Sequence, residues 1–342
     1  MNTAFFVLVS SLAALSSTEQ VKIGEAYVQR GKPQKAVEML EKGLADPKVG
    51  DALRARGETA WGLALIQLDQ AEASLPHFER SLGLDVNQEK TWLLLGMAHD
   101  LMGAVPESIE VYQQGAKALP RSHKLRHELG MTYLEAGKVG EALPWLDAAV
   151  KLSPQHPDLL TDQAYARILQ GNYAEAREAL QLSLSAAPKN VDAFYLLGDA
   201  EAALKNDEAA RIAYGQALKL EPTHVGALYH LSLLEVRSER FAQAAEHLTV
   251  LRKVDPKHVR GTALLGVAYA KLNRGGEARP LLLRAIGTDP SFAQGYTLLG
   301  DIAEREGKLD EAISRYEQAS ALRSRDREIK KKLEKLRTRK GK

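Results

Sequence analysis

The sequence predicts an all-α protein built from repeated helix–turn–helix hairpins. Prolines recur at a constant spacing of 34 residues through the middle and the C-terminal part of the chain, and a period of this length is typical of helical solenoids. The prolines with this spacing are Pro120, Pro154, Pro188, Pro222, Pro256 and Pro290. Between them apolar residues recur at helical spacing, without the alternation that is typical of strands.

Nine repeats of 34 residues fit the chain, and two positions in every repeat hold a small residue. The repeats span 17–50, 55–88, 89–122, 123–156, 157–190, 191–224, 225–258, 259–292 and 293–326. Repeat position 8 holds Gly24, Gly62, Gly96, Gly130, Ala164, Gly198, Ser232, Gly266 and Gly300. Repeat position 20 holds Ala36, Ser74, Ser108, Ala142, Ala176, Ala210, Ala244, Ala278 and Ala312. Because helices can approach closely only where side chains are small, we expect both positions at the crossing of two helices.

The turn between the two helices of each repeat is predicted by glycine, and the end of the second helix by proline. Position 15 is glycine in five repeats, at Gly31, Gly103, Gly137, Gly171 and Gly307. Proline cannot donate a backbone hydrogen bond and disfavours helical geometry in the residue before it. The recurring prolines at position 32 therefore predict the end of the second helix.

These positions together resemble the pattern of the tetratricopeptide repeat family, which has small residues at positions 8, 20 and 27, leucine or aromatic residues at 4, 7, 11 and 24, and proline at 32. The segment GDIAEREGKLDEAISRYEQA at 300–319 is a close match, and the resemblance covers residues 17–326. The resemblance implies a right-handed superhelical solenoid whose first helices line a concave groove. It also implies a non-enzymatic scaffold for protein–protein interaction in the assembly of a multiprotein complex.

The two ends of the chain lie outside the repeats. Residues 1–16 form an apolar N-terminal segment that is too short to span a bilayer. It fits the apolar part of a secretory signal, although the basic start of such a signal is missing, or an apolar cap on the first repeat. We therefore expect export, to the periplasm or a membrane surface, slightly in preference to the cytoplasm. Ser17 and Gln20 have the spacing of a helix-capping box.

Residues 327–342 are predicted to form a basic capping helix and tail. Ile329, Leu333 and Leu336 fall on one helical face and would cover the last repeat. From residue 323 onward there are 11 lysines and arginines against 3 acidic residues, although the net charge of the whole chain is only +2. An alternative function is therefore recruitment to nucleic acid or to an anionic membrane through this helix. The other interpretation is a charged, solvated helix face with a frayed tail. The absence of aromatic residues between the charges favours this interpretation and makes nucleic acid an unlikely partner.

The sequence contains no motif that indicates catalysis, a cofactor or a bound metal. The absence of cysteine excludes disulfides, thiolate zinc sites and cysteine nucleophiles. Three histidines share repeat position 34, just after the proline, and are interpreted as turn residues: His156, His224 and His258. His123 and His127 lie one helical turn apart, but the sequence offers no third ligand beside them. We therefore expect a protein that is not an enzyme and uses no cofactor.

The partner-binding residues are expected on the first helix of each repeat, at positions that face the groove in the family that the sequence resembles. Positions 5 and 9 supply Met97, His127, Met131, Tyr165, Tyr195, Asp199, Tyr229, Leu233 and Val267. Methionine and tyrosine offer large, adaptable contact surfaces, so the expected ligand is a peptide or protein segment. The alternative is that these side chains only pack neighbouring repeats. The lysine–asparagine carboxylate clamp and the asparagine ladder of other family members are absent from the corresponding positions.

Overall fold

The computed structural model describes residues 15–340, and all regular secondary structure in this range is α-helical. The nineteen helices are α1 (Ser17–Gln29), α2 (Pro33–Leu44), α3 (Asp51–Ile66), α4 (Ala71–Leu84), α5 (Glu89–Leu101), α6 (Val105–Ala118), α7 (His123–Glu135), α8 (Val139–Leu152), α9 (Pro157–Gln170), α10 (Tyr173–Ala186), α11 (Val191–Ala203), α12 (Asp207–Leu220), α13 (Val225–Arg237), α14 (Phe241–Val254), α15 (Val259–Lys271), α16 (Gly275–Thr288), α17 (Ala293–Arg305), α18 (Leu309–Leu322) and α19 (Arg327–Lys340). The predicted signal-like segment falls mainly on residues 1–14, outside the described residues.

The helices form two compact bodies, an N-terminal body up to residue 172 and a C-terminal body from residue 173. In the N-terminal body α1 packs on α2, α3 on α4, α5 on α6 and α7 on α8, which makes four helical hairpins. In the C-terminal body the hairpins are α11 with α12, α13 with α14, α15 with α16 and α17 with α18. Successive first helices within a body also contact one another, and we call the surface that they share the first-helix face. The predicted all-helical repeat fold is confirmed.

The turn that glycine at position 15 predicted is present in the structure, and its backbone is left-handed. All five glycines have positive φ angles between 63° and 86°. At Gly137 the turn is closed by hydrogen bonds from its own amide to Leu134 and from the Lys138 amide to Tyr133. Four repeats adopt the same conformation without glycine, at Asp69, Lys205, Glu239 and Asn273, with φ between 57° and 66°.

The recurring prolines lie just beyond the second helix, as predicted. Helix α12 ends at Leu220, two residues before Pro222, and α14 ends at Val254, two residues before Pro256. The residue that separates helix and proline has left the helical conformation, for example Glu221 with φ −131° and ψ 92°. This is the extended geometry that proline favours in the residue before it.

The small residues at position 8 lie where the two helices of a hairpin meet. A Cβ atom built on Gly96 would come within 2.2 Å of the Tyr112 ring, and one on Gly198 within 2.4 Å of the Tyr214 ring. Both rings are almost fully buried. The predicted close approach of the two helices at this position is therefore confirmed, and its partner is the residue at position 24 of the same hairpin.

The first described helix begins one residue earlier than the capping-box spacing suggested. Ser16, and not Ser17, is the N-cap of α1: its hydroxyl accepts a hydrogen bond from the Glu19 amide, and the Glu19 carboxylate accepts one from the Ser16 amide. Ser17 instead donates its hydroxyl to Asp46 at 2.9 Å. The spacing prediction failed because two serines stand side by side and each has an acceptable N3 residue.

The last helix, α19, covers the final hairpin through its apolar face. Ile329, Leu333 and Leu336 are buried, with Leu336 fully inaccessible, and they pack in one cluster with Tyr316 and Ala319 of α18. Asp326 caps the helix by accepting hydrogen bonds from the amides of the second and third residues of α19. The predicted capping helix is confirmed.

Candidate functional site

The predicted groove residues lie on first helices in both bodies, with different exposure. Met97, His127 and Met131 are half-buried in the N-terminal body, where Tyr165 is 40% exposed. In the C-terminal body the residues are Tyr195, Asp199, Tyr229, Leu233 and Val267. Leu233 is exposed, Val267 is buried at 3%, and the remaining three are half-buried. Their role in binding a partner stays a prediction.

Two groove tyrosines of the C-terminal body contact the histidines at the end of their own repeat. The Tyr195 ring lies 4.9 Å from the His224 ring, and the Tyr229 ring lies 5.0 Å from the His258 ring, centroid to centroid. These distances are within the range of favourable aromatic contacts. Each tyrosine ring is therefore packed against a neighbouring ring.

The same histidines cap the first helix of the next repeat. Nδ1 of His224 accepts a hydrogen bond from the Ala227 amide at 3.0 Å, and Nδ1 of His258 accepts one from the Gly261 amide at 2.9 Å. A ring nitrogen that accepts a hydrogen bond carries no proton, so in the neutral ring the proton lies on Nε2. The turn interpretation of both residues is correct but incomplete, because sequence reasoning did not anticipate their contact with the tyrosines.

Asp199 belongs to a hydrogen-bonded network below the Tyr195 ring. Its Oδ1 accepts a hydrogen bond from the Tyr214 hydroxyl at 2.6 Å and lies 2.6 Å from Nδ1 of His230. Burial and the neighbouring Asp199 carboxylate both raise the pKa of Tyr214, so its hydroxyl remains a donor. Rings of Tyr195 and His230 lie 5.7 Å apart, which connects this network to the groove tyrosines.

A cavity of about 230 Å³ opens beside Tyr229 on the first-helix face of the C-terminal body. Its walls are mainly apolar, and Arg260 and Asp289 contribute exposed charged side chains. The lining comprises Tyr229, Val259, Arg260, Ala263, Leu264, Val267, Ala285, Asp289, Phe292 and Gln294. Since a dry cavity of about 150 Å³ holds a benzene molecule, this one has room for an aromatic or branched aliphatic side chain.

The N-terminal body places His127 between two carboxylates. Nε2 of His127 lies 2.7 Å from Oδ2 of Asp162, and Nδ1 lies 3.4 Å from Oε1 of Glu128. Burial alone would lower the pKa of His127, but the hydrogen bonds with Asp162 and Glu128 outweigh it and raise the pKa to about 9. His127 is therefore a cation at neutral pH.

A polar cleft of about 500 Å³, lined by residues of the first three repeats, was not anticipated from the sequence. Arg56 and Glu25 form a two-pronged ion pair across it, with distances of 3.0 and 2.7 Å. The cleft is also lined by Gln29, Gln67 and Lys90. In the family that the sequence resembles positions 2 and 13 also face the groove, and all five residues occupy position 2, 9 or 13 of repeats 1 to 3, so applying these positions there would have found the cleft.

Two further features are absent from residues 15–340. No helix in this range is both long and apolar enough to cross a membrane. The same range has no group of three or more histidine, aspartate or glutamate side chains arranged to hold a metal ion.

Solved structures that resemble this chain are also repeat proteins. The C-terminal part of a TPR repeat-containing protein from Cytophaga hutchinsonii matches with a TM-score of 0.58 and 12% identity, over 72% of this chain and 99% of that one. PilF of Pseudomonas aeruginosa matches with a TM-score of 0.54 and 14% identity, over 59% of this chain and 92% of that one. At these identities the likeness extends to the fold alone.

Comparison with curated proteins finds no match to this chain. The sequence model of the tetratricopeptide repeat family, in contrast, matches residues 93–157, 161–225, 229–293 and 268–327. A second model of the same family matches residues 133–184. These matches cover more than half of the chain and coincide with the helical hairpins described above, and the chain therefore belongs to the tetratricopeptide repeat family.

Proposed function

We propose that this protein is a non-enzymatic scaffold that binds a peptide or an exposed segment of a partner protein on its first-helix face, and that this binding serves the assembly of a multiprotein complex. Proteins of the tetratricopeptide repeat family are generally interaction scaffolds without enzymatic activity. The residues and the ligand chemistry below are specific to this chain and are part of the proposal.

The observation that carries the proposal is the pair of tyrosines held in place by histidines. Tyr195 and Tyr229 are half-buried, and each has a neighbouring ring about 5 Å away on the next first helix. A side chain that is already oriented loses less conformational entropy when a ligand binds. Tyrosine also combines a large apolar surface with a hydroxyl that can bond to a peptide backbone. These properties favour a recognition surface over simple packing between repeats.

The cavity beside Tyr229 indicates the kind of ligand side chain that would bind there. Val267 forms part of its apolar wall, and Arg260 and Asp289 are exposed at its lining. We expect the partner segment to insert one aromatic or branched aliphatic residue and to place polar groups against the two charges. Neighbouring repeats would then contact the rest of the segment through Tyr195 and Leu233.

The proposal is tested with peptides selected from a random displayed library on the full-length protein. Affinities are then measured by fluorescence anisotropy for the wild type, for Tyr195→Ala combined with Tyr229→Ala, and for Tyr173→Ala. Tyr173 begins α10, a second helix, and serves as the control because it lies outside the first-helix face. Removing two aromatic contacts should weaken binding at least 10-fold, since each buried aromatic anchor contributes about 1 kcal/mol or more.

Selected peptides should also share an aromatic or branched aliphatic residue. Equal binding by the wild type and the double variant, with circular dichroism showing both folded, would exclude these tyrosines from the site. A loss of binding in Tyr173→Ala equal to that in the double variant would move the site to another face.

A further inference from the structure

The basic residues in and just before the capping helix α19 form two sets. Those from Lys332 onward include four that form ion pairs with acidic residues of α17 and α18. The pairs are Lys332 with Asp301, Arg337 with Glu317, Arg339 with Glu304 and Lys340 with Asp310. These four cations hold the helix on the last repeat, so the fold itself accounts for them.

A second set of basic residues has no such partner. We call it the outer basic patch, and its members are Arg323, Arg325, Arg327, Lys330, Lys331 and Lys335. All six are exposed, and within residues 15–340 none of them forms an ion pair. Arg327, Lys331 and Lys335 follow one another at intervals of four residues and form a stripe about 12 Å long. This stripe faces away from the buried face of Leu333 and Leu336.

The stability of α19 does not explain the outer basic patch. Arg327, Lys330 and Lys331 lie in or just after the first turn of the helix, where the macrodipole is positive and basic side chains are unfavourable. Arg337 and Arg339, near the other end, have the sign that the dipole favours. The exposed acidic residues of α19, Glu328 and Glu334, offset only part of this charge, and the positive surface that remains indicates an external anionic partner.

We propose that the outer basic patch docks the protein on the surface of an anionic lipid bilayer. Lipid headgroups require a dense set of mobile cations and no shaped or apolar contact. The patch meets both conditions, because its six cations lie close together and Leu322 is the only exposed large apolar side chain between residues 284 and 340. The apolar face of α19 is covered by α18, so the helix adsorbs through charge and does not insert.

Protein and nucleic-acid partners fit the patch less well. A stable protein interface has an apolar core with aromatic residues, and no aromatic residue follows Tyr316, which is itself fully buried. The absence of aromatic side chains also removes the base stacking that supports single-stranded nucleic acid. A duplex groove would surround a recognition helix on several sides, whereas α19 has only its outer side free.

The test measures binding of the full chain to vesicles of phosphatidylcholine with and without phosphatidylserine, by sedimentation at low and high salt. The proposal predicts binding only to the vesicles with phosphatidylserine, and weaker binding at high salt. Each cation near such a surface strengthens binding about fivefold. The triple variant Lys330→Gln, Lys331→Gln, Lys335→Gln should therefore bind about 100-fold more weakly.

A matched control removes the same charge from the first repeat through Lys35→Gln, Lys42→Gln and Lys48→Gln, all at exposed positions. It should bind the vesicles nearly as well as the wild type. Three results would each overturn the proposal: equal binding by the wild type and the α19 variant, equal losses in both triple variants, or tighter binding of the wild type to duplex DNA or to polyglutamate than to phosphatidylserine vesicles. Peptide binding on the first-helix face should be the same in all of these proteins, so this outcome is independent of the proposed scaffold function.

Discussion

Replacing Gly198 with alanine tests whether the close approach of two helices determines position 8 of the repeat. The added Cβ would lie 2.4 Å from the Tyr214 ring, whereas two carbon atoms in contact are separated by about 3.5–4.0 Å. The ring is 1% exposed, and its hydroxyl is fixed to Asp199 by a hydrogen bond of 2.6 Å. The ring therefore cannot retreat by the required distance of about 1 Å without breaking this bond or separating the helices.

The expected cost follows from two opposing contributions. Overpacking of this kind costs about 1–3 kcal/mol, and the rigidly held ring places Gly198→Ala at about 3 kcal/mol. Alanine is a better helix former than glycine by about 1 kcal/mol, which offsets part of this cost. We therefore expect the free energy of unfolding of the hairpin α11–α12 to fall by about 2 kcal/mol.

The assay needs a matched control and a rescue. Gly215 lies in the same hairpin, and a Cβ built there meets no atom within 4 Å, so Gly215→Ala should stabilise the protein by up to about 1 kcal/mol. The repeat with Ser232 at position 8 has Leu248 in place of the ring. Changing Tyr214 to leucine in the Gly198→Ala background should accordingly recover part of the lost stability, because both repeats with a residue larger than glycine at position 8, Ala164 and Ser232, have leucine at position 24.

Unfolding in urea is followed by circular dichroism, with hydrogen exchange to resolve α11 and α12, because repeat proteins can unfold in stages. If Gly198→Ala is as stable as Gly215→Ala, the close approach does not determine position 8. If the double variant Gly198→Ala, Tyr214→Leu is less stable than Gly198→Ala alone, the Tyr214 ring is not the obstacle to the added methyl group.

Two further predictions concern single positions in the described chain. The pKa of His127 is raised to about 9. Protonation of His127 therefore stabilises the folded state by about 2 kcal/mol, after allowance for solvent screening, and this contribution is complete below a pH of about 6.5. The contribution is lost as the pH rises through about 9. Urea unfolding at several pH values should show a stability gap between the wild type and His127→Gln that narrows over this range, and a constant gap would contradict the ion-pair explanation. Lys205 has a φ angle of 66°, in the left-handed region. Lys205→Gly should therefore stabilise the protein by about 0.5–1 kcal/mol, whereas Lys205→Ala should not. Equal melting temperatures for the two variants would show that the turn carries no strain.

The fold was largely predictable because its signals depend on local geometry and repeat nine times. Glycine at position 15 indicated a turn, and all five glycines lie in one with a positive φ angle. Asp69 and Lys205 adopt the same turn without any such signal, because the hairpin on either side requires it. A single sequence also cannot distinguish which of two adjacent serines caps a helix, and at Ser16 and Ser17 that choice was wrong.

The candidate site was only partly predictable, since its geometry depends on contacts between repeats. Positions 5 and 9 indicated the tyrosines, but no sequence rule connected Tyr195 with His224, which lies 29 residues later. The polar cleft around Arg56 and Glu25 was missed for a different reason. Of its five polar residues named above only Glu25 lies at position 9, and the other four lie at positions 2 and 13, which were not used to select groove residues.

Position 34 shows how the repeat junction and the groove are coupled. Asn190 at this position caps the next helix by accepting the Ala193 amide at 3.0 Å, and Phe292 supplies a ring to the cavity without capping its helix. His224 caps the next helix through one ring nitrogen, which accepts the amide hydrogen bond, and its ring also contacts Tyr195. The start of the next helix and the packing of the Tyr195 ring thus depend on the same side chain at the junction of two repeats.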